Sequence, residues 1–405
     1  MAEIDLNLLL SASSPGGSTC LTSVTELAPA AGPHASVAPA KFAAAGRKSG
    51  GVYAYETRYL DGVPTPAVII DSKQSQLNRA EQALRQAIDE GHPLLSRLPR
   101  VVVTYEQDGT TVEYSDLDLP HRVFDGHIRA GTIDGQEVTQ VDGYRAIRNA
   151  TPADARPLLD TSPVSVIFGS WDSSRATRQG RWRSTLVGEI VGFCADTQPA
   201  LKGGARTDPV GMKIELTESA LKQLAEDQRA ELSKKTYDKV VKEAAGAKGD
   251  KRVSASTLGL GGIPPTLETL SGVACRRIVR SHVLSFAALR QVRFGTGVDG
   301  DVACRALLAA LALNALARAD SELVLRANCD LVEAAPARVQ VDQRGGRALV
   351  VDGLSIAAAD ELLAAALAHA ERAAGIIWDG VALSVTGNPA VMAGAVAEDA
   401  ESGSE

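Results

Sequence analysis

The sequence predicts an α+β fold, a mixed or antiparallel sheet covered by helices on one face. Three observations carry this. Short apolar runs bounded by turn residues recur at 66–70, 101–105, 164–168 and 277–284 and read as strands. Between such runs Leu77, Ala80, Leu84, Ala87 and Ile88 repeat at helical spacing. The pairs Asp108-Gly109 and Gly345-Gly346 stand between alternating segments, which is a hairpin signal.

In chain order, residues 11–50 are rich in Ser, Ala, Gly and Pro and show neither period, so residues 1–50 read as a loop-rich arm. No acid occurs between Glu26 and Glu56, while Lys41, Arg47 and Lys48 do. The strand at 66–70 runs through Asp71-Ser72 into the helix of Leu77, with Ser72 or Ser75 placed to cap it. Such a strand-to-helix step opens a β-α-β unit. A hairpin over 101–114 follows, then a strand at 164–168. Residues 217–245 predict one long charged helix with Leu221, Leu224 and Leu232 on a stripe, and with Glu231/Lys235 and Asp238/Lys242 as i,i+4 pairs. Gly246 starts its exit, and 258–265 is a loop closed by Pro264-Pro265. Strands at 277–284 and 322–327, helices at 302–319 and 356–374, a hairpin over 338–351 and a strand at 381–385 complete a core spanning 51–395, with an insertion region at about 120–270. The acidic tail 396–405, with Glu398, Asp399, Glu401 and Glu405, is expected to be disordered.

The 405 residues are 45% hydrophobic but only 4% aromatic, enough for a sizeable core built on Ala, Val, Leu and Ile. A net charge of −7 and a pI near 5.5 argue against coating nucleic acid by bulk charge and leave only a local basic surface. Five scattered cysteines with no C-x-x-C spacing fit a reducing interior rather than a zinc site or disulfide framework. The first residues carry Glu3 and Asp5 where a signal peptide needs positive charge, and no long uncharged apolar stretch suggests a membrane span. The cytoplasm is the expected compartment.

Enzyme motifs are missing. Gly46-Arg47-Lys48-Ser49 has the tail of a phosphate loop without its leading glycine, and no G-x-S-x-G or H-E-x-x-H occurs. His121 and His127 are six residues apart, off the spacing of a helical metal pair. Asp71, at a strand end without an obvious acid or histidine partner, reads as a helix cap. No catalytic residue, metal site or cofactor is expected. The charge map says more. Arg175, Arg178, Arg181 and Arg183 lie between and around Trp171 and Trp182 with Asp172 as the single acid. Guanidinium groups bind phosphates in pairs of hydrogen bonds and aromatic faces stack on bases. The plainer reading is an exposed arginine loop whose tryptophans plug the core. Lys202 and Arg206 extend the pattern, and Arg276, Arg277, Arg280, Arg290 and Arg293 form a second basic block, part of it alternating along a strand.

At these residues the chain resembles a known family. The run Asp71-Ser72-Lys73-Gln74-Ser75-Gln76-Leu77-Asn78-Arg79-Ala80-Glu81 is similar to the D-S-x-Q-S-Q-x-N-R-x-E signature of the CRISPR backbone subunit of type I-G systems, formerly type I-U, within the Cas-seven superfamily of RAMP proteins. Phe168-Gly169-Ser170-Trp171-Asp172-Ser173 resembles its F-G-x-W-D-S block. Gly262-Ile263-Pro264-Pro265 and the block from Leu284 to Arg290 match further, over about residues 39–335. Near the start, Pro39-Ala40-Lys41-Phe42-Ala43 departs from the family's P-T-G-F-P-D-x-G loop. The resemblance implies a modified RRM-like (ferredoxin-like) core with inserted finger and thumb-like elements. It implies copies stacked head to tail on one CRISPR RNA, which presents its bases to target DNA. Implied partners are the guide RNA, further copies of the chain, a Cas-five/Cas-six-type subunit, a large subunit and the Cas-three helicase–nuclease. The expected RNA contacts are Lys41, Arg47, Lys48, Ser72, Gln74, Ser75, Gln76, Asn78, Arg79, Trp171, Arg175, Arg178, Arg181, Trp182, Arg183, Lys202 and Arg206. Two rival readings stand: a metal-assisted endonuclease of target RNA centred on Asp71 or Asp125, as in type III relatives, and a protein-only scaffold.

Overall fold

A computed structural model describes residues 2–43, 51–107, 109–177, 179–198, 200–202, 205–246, 251–263 and 269–394. The fold is α+β, as its sequence pattern predicts. Its larger sheet has eight strands: β1 (Cys20–Pro29), β2 (Tyr55–Leu60), β3 (Val63–Asp71), β4 (Leu186–Phe193), β5 (Arg277–Ser285), β6 (Leu331–Glu333), β7 (Arg338–Gln343) and β8 (Arg347–Val351). The order is β8-β7-β1-β5-β4-β3-β2, with β6 also pairing with β1. Each of these pairings is antiparallel.

The strand β1 corrects the reading of residues 11–50 as loop, and helix α1 (Leu6–Ser13) precedes it. The inward positions of β1 are Leu21, Ser23, Thr25 and Leu27. Two of the four are small and polar, so the apolar alternation that marks a half-buried strand is half erased. They face the buried side chains Leu284, His282, Arg280 and Ile278 of β5 in register. The opposite face carries Thr22, Val24, Val279, Ser281 and Val283, which are half-buried or exposed.

The buried face is covered by α2 (Lys73–Asp89), which packs on β4. Helix α3 (Gly297–Ser321) packs against α1, α2 and α4 (Ile356–Ala374). By length and composition α3 alone among the described helices passes for a membrane span, yet 83% of its apolar window is buried inside the protein. It is apolar on all sides because protein surrounds it, as a core helix requires. A second, five-stranded sheet runs Thr110–Ser115, Arg100–Gln107, Val381–Thr386, Thr132–Ile133, Gln136–Glu137. The strand Val381–Thr386 lies parallel to Arg100–Gln107.

Three further expectations are corrected. The expected strand at 164–168 is instead a helix, Pro163–Ile167, with Phe168 as its C-cap. Pro163 presets the first helical φ, and all five residues are buried, so no alternation exists to tell helix from strand. Residues 322–327 form no strand; the carbonyls of Val324 and Leu325 accept from Arg79 instead. The charged stretch 217–245 is two helices, Glu218–Asp227 and Lys234–Ala244. Ser233 caps the second by accepting from the Thr236 N–H at 3.1 Å, and Glu231 falls in the break.

The chain forms two compact units. The first comprises residues 1–42, 53–197 and 274–405, and the second residues 43–52 and 198–273. The second has its own small core, in which Leu221, Ala225, Val240, Ala244 and Ala255 pack together. Around it lie short ladders pairing Ala200–Lys202 with Thr269–Gly272 and Glu215–Leu216 with Val253–Ser254.

Candidate nucleic-acid interface

The signature run is the junction from β3 to α2. Asp71 ends the strand and is 0% exposed. Its carboxylate accepts from Ser75 Oγ at 2.9 Å and Gln76 Nε2 at 2.6 Å. Arg79 Nε donates to it at 3.2 Å, and the guanidinium of Arg326 does so from the far end of the chain. A buried carboxylate demands such partners, because charge taken from water without them is costly. Asp71 is therefore an ion-pair anchor and not the helix cap its sequence position suggests. The cap is Ser72, which accepts from the Ser75 N–H at 3.3 Å. Gln76 also meets His282 of β5 at 3.2 Å.

Ser72, Ser75, Gln76 and Arg79 thus use their polar atoms inside the protein. Gln74 and Asn78 are exposed, one helical turn apart, beside exposed Lys73. Lys41 follows a segment laid along the same strand end, where the Ala40 N–H donates to the Ile70 carbonyl at 3.0 Å. The last residue of the run, Glu81, is buried and holds Arg122 with both oxygens. Arg122 in turn donates to the Gly169 carbonyl at 2.7 Å, at the root of the tryptophan segment.

That segment is a short hairpin. Strand Ser170–Trp171 pairs with Arg181–Trp182, in the register Ser170↔Trp182 and Trp171↔Arg181. The strict alternation of a strand sends the two tryptophans apart. Trp182 is 7% exposed and belongs to the core, whereas Trp171 is 44% exposed. The plainer reading holds for Trp182. The Arg181 guanidinium lies 4.7 Å from the Trp171 ring centroid, a cation–π pair, and Arg183 is exposed next to it. Arg175 is half-buried and donates to the Arg148 carbonyl at 2.6 Å and to Asn149 Oδ1 at 3.0 Å. The single acid of the segment, Asp172, is buried against Arg148 at 2.8 Å. Burial raises the Asp172 carboxyl, but hydrogen bonds from Arg148 and Ser174 and the Arg148 charge outweigh it and hold it below the ordinary carboxylate range. The hairpin's one negative charge is thus neutralised from beneath, leaving its outer surface basic.

The second basic block does not gather on one surface. Arg280 is buried with Asp320 and Glu333, Arg277 pairs with Glu26, and Arg290 donates to the Ala12 and Ser18 carbonyls. Arg206 is exposed in the second compact unit. Arg47, Lys48 and Arg178, the Lys202 side chain, Asp108, Pro264, Pro265 and the acidic tail lie outside the described residues. Asp125 caps a short helix, accepting from the His127 N–H at 2.9 Å. Among the described residues no group of three or more His, Cys, Asp or Glu side chains is arranged to hold a metal ion. The residues that sequence reasoning missed are the supports, Arg122, Arg148 and Arg326. Each is an isolated arginine whose partner lies far along the chain, and no local spacing marks it.

Residues 21–197 match the model of a family described as CRISPR-associated protein GSU0053 (Cas_GSU0053). The matched segment opens in β1 and contains both the signature run and the tryptophan hairpin. Over that segment, a little under half of the chain, the protein is similar to a CRISPR-associated family. No curated protein matches the chain.

Proposed function

We propose that this chain is a non-catalytic RNA-binding backbone subunit of a type I-G Cascade-like complex. Copies would line one guide RNA and present its bases for pairing with target DNA, beside a Cas-five/Cas-six-type subunit, a large subunit and the Cas-three helicase–nuclease. The observation that carries this reading is the solvent-facing Arg181–Trp171 pair with Arg183 beside it, on a hairpin inside the segment similar to a CRISPR-associated family. Arginine grips phosphate and an exposed indole stacks on a base without regard to sequence, which is what a subunit serving any guide needs. An antiparallel sheet with helices on one face and the other face open supports an RRM-like reading of the core. The non-catalytic part draws support from the two acids best placed for metal chemistry: Asp71 is enclosed by two arginines and Asp125 is spent on a helix cap.

The test begins with the purified protein, which should carry RNA, seen as excess ultraviolet absorbance. After its removal, guide-length RNA is titrated at rising salt. Arg181→Ala and Arg183→Ala should each flatten the salt dependence by roughly one unit of slope, and Trp171→Ala should weaken binding by about 1–3 kcal/mol. Unchanged slope and affinity would remove RNA from this hairpin. Cutting of complementary RNA or DNA by the loaded protein in Mg²⁺, lost in Asp71→Ala or Asp125→Ala, would overturn the non-catalytic part.

A further inference from the structure

We infer that Arg148 is a positioning residue for the RNA surface: it pins the tryptophan hairpin to the helix Asp142–Asn149 and holds the hairpin's single acid, Asp172, inward and neutralised. The inference rests on the RNA-binding reading above and goes beyond it, because Arg148 supports the hairpin from beneath and only 15% of its side chain is exposed. The attachment runs both ways. Arg148 Nε donates to Asp172 Oδ2 at 2.8 Å, and Nη2 donates to Ser174 Oγ at 3.4 Å. Ser174 Oγ in turn donates to Asp172 Oδ1 at 2.9 Å. From the hairpin side, Arg175 Nη1 donates back to the Arg148 carbonyl at 2.6 Å, and Nη2 donates to Asn149 Oδ1 at 3.0 Å. Arg148 is thus held by its backbone and holds with its side chain. It stands in the last helical turn, where a cation also suits the exposed carbonyl end of the helix.

This clasp protects an arrangement of charge. The Asp172 N–H donates to the Gly180 carbonyl at 2.9 Å, one step beyond the Trp171↔Arg181 pair. The carboxylate therefore lies within one residue of both halves of the exposed cation–π pair, yet it is buried. Turned outward, it would face the phosphates that Arg181 and Arg183 are to hold. Arg129 acts on Asp172 through its charge, while its Nε donates to the Phe124 carbonyl at 2.9 Å. Arg148 both touches the carboxylate and balances it. With Arg148 gone, a buried and uncompensated carboxylate is costly to keep from water. The loop then has reason to turn Asp172 toward solvent, and a negative charge joins the RNA surface.

The experiment compares Arg148→Met, Asp172→Asn and the double variant on the full chain. Affinity for guide-length RNA is measured across salt, and the fold is checked by circular dichroism and urea unfolding. Arg148→Met should lower the salt slope by roughly one unit, since one restored negative charge cancels about one phosphate contact. Asp172→Asn alone should not lower it. The double variant should regain the wild-type slope, because no acid is left to unmask. A phosphate contact made by Arg148 itself would leave the double variant one unit low. A merely structural role would move the unfolding midpoint of Arg148→Met and not its slope. Either result overturns the inference while leaving the hairpin's role untouched, which Arg181→Ala and Arg183→Ala test separately. A wild-type chain that binds no RNA would sink the functional reading and the role of Arg148 with it. Should Arg148→Met fail to fold, Arg148→Gln serves in the same comparison: it removes the charge but keeps a donor beside Asp172, and the same loss and recovery of slope are expected.

Discussion

Glu81 shows how much of the signature run is interior engineering. Its carboxylate holds Arg122 through two hydrogen bonds, the longer-reaching one from Nη2 at 2.6 Å. Arg122 itself sits at φ 48°, a backbone region that side chains other than glycine occupy at a cost. Removing one partner of a buried ion pair strands the other charge, so Glu81→Ala should cost about 3–5 kcal/mol in urea unfolding. It should also loosen the tryptophan hairpin, whose root carbonyl at Gly169 is held by the same arginine. A loss below about 1 kcal/mol would mean that Arg122 finds another acceptor and that the run has some other reason for ending in glutamate. In the sequence this pairing is not visible, because Glu81 reads as one more solvated helix residue until its partner's position is known.

At the scale of elements, the register of β4 against β5 sets Gly188 opposite His282. A methyl group added at Gly188 would fall 2.1 Å from the His282 ring. Only a residue without Cβ leaves room for a buried imidazole on the facing strand. Gly188→Ala should therefore push His282 off Gln76 and destabilise the chain by about 1–3 kcal/mol, the range for overpacking a tight core. The check is a urea midpoint together with the imidazole resonances of His282 by NMR. A variant of unchanged stability whose His282 signals do not move would show that the two strands pair in another register. The helix after Asp71 and the hairpin that turns at Gly345-Gly346 were legible from period and turn chemistry, since Ser72, Gly345 and Gly346 carry local signals that need no tertiary partner. Strand β1 was not, because Ser23 and Thr25 earn burial only from the polar neighbours that β5 brings.

For the molecule as a whole, two buried groups pull stability in opposite directions with pH. Burial, helped by the charge of Arg280, lowers the His282 imidazole to about 3. The unfolded chain therefore takes up a proton below about pH 6.5 that the native state refuses, and stability falls as pH drops through that window. Burial raises the Asp116 carboxyl to about 7 against lesser hydrogen bonds. The unfolded chain loses this proton near pH 4 while the native state keeps it, so stability falls as pH rises from about 4 to 7. The two contributions offset one another between about pH 4 and 6.5. Asp116→Asn, which mimics the protonated form, should raise stability at neutral pH by on the order of 4 kcal/mol. That gain should shrink on acidification and vanish below about pH 4. Denaturant midpoints of both proteins across this range decide it. A gain that is flat with pH would show that Asp116 is not the titrating group.

What the sequence determined by itself was local: the α+β class, the turns, the capped helix after Asp71, and a basic, tryptophan-bearing segment with a single acid. These depend on spacing and residue type within a few positions, and neighbours along the chain are enough to express them. Tertiary structure alone decided which polar groups face inward. Gln76 and Arg79 look as available as Gln74 and Asn78 in the string, and Trp182 as available as Trp171, yet helix phase and strand alternation bury Gln76 and Trp182 and turn the half-buried Arg79 onto Asp71. It also brought Arg326 to Asp71 and His282 to Gln76. Buried charge and buried amide must find partners wherever the chain returns, and that return is a property of topology rather than of local sequence.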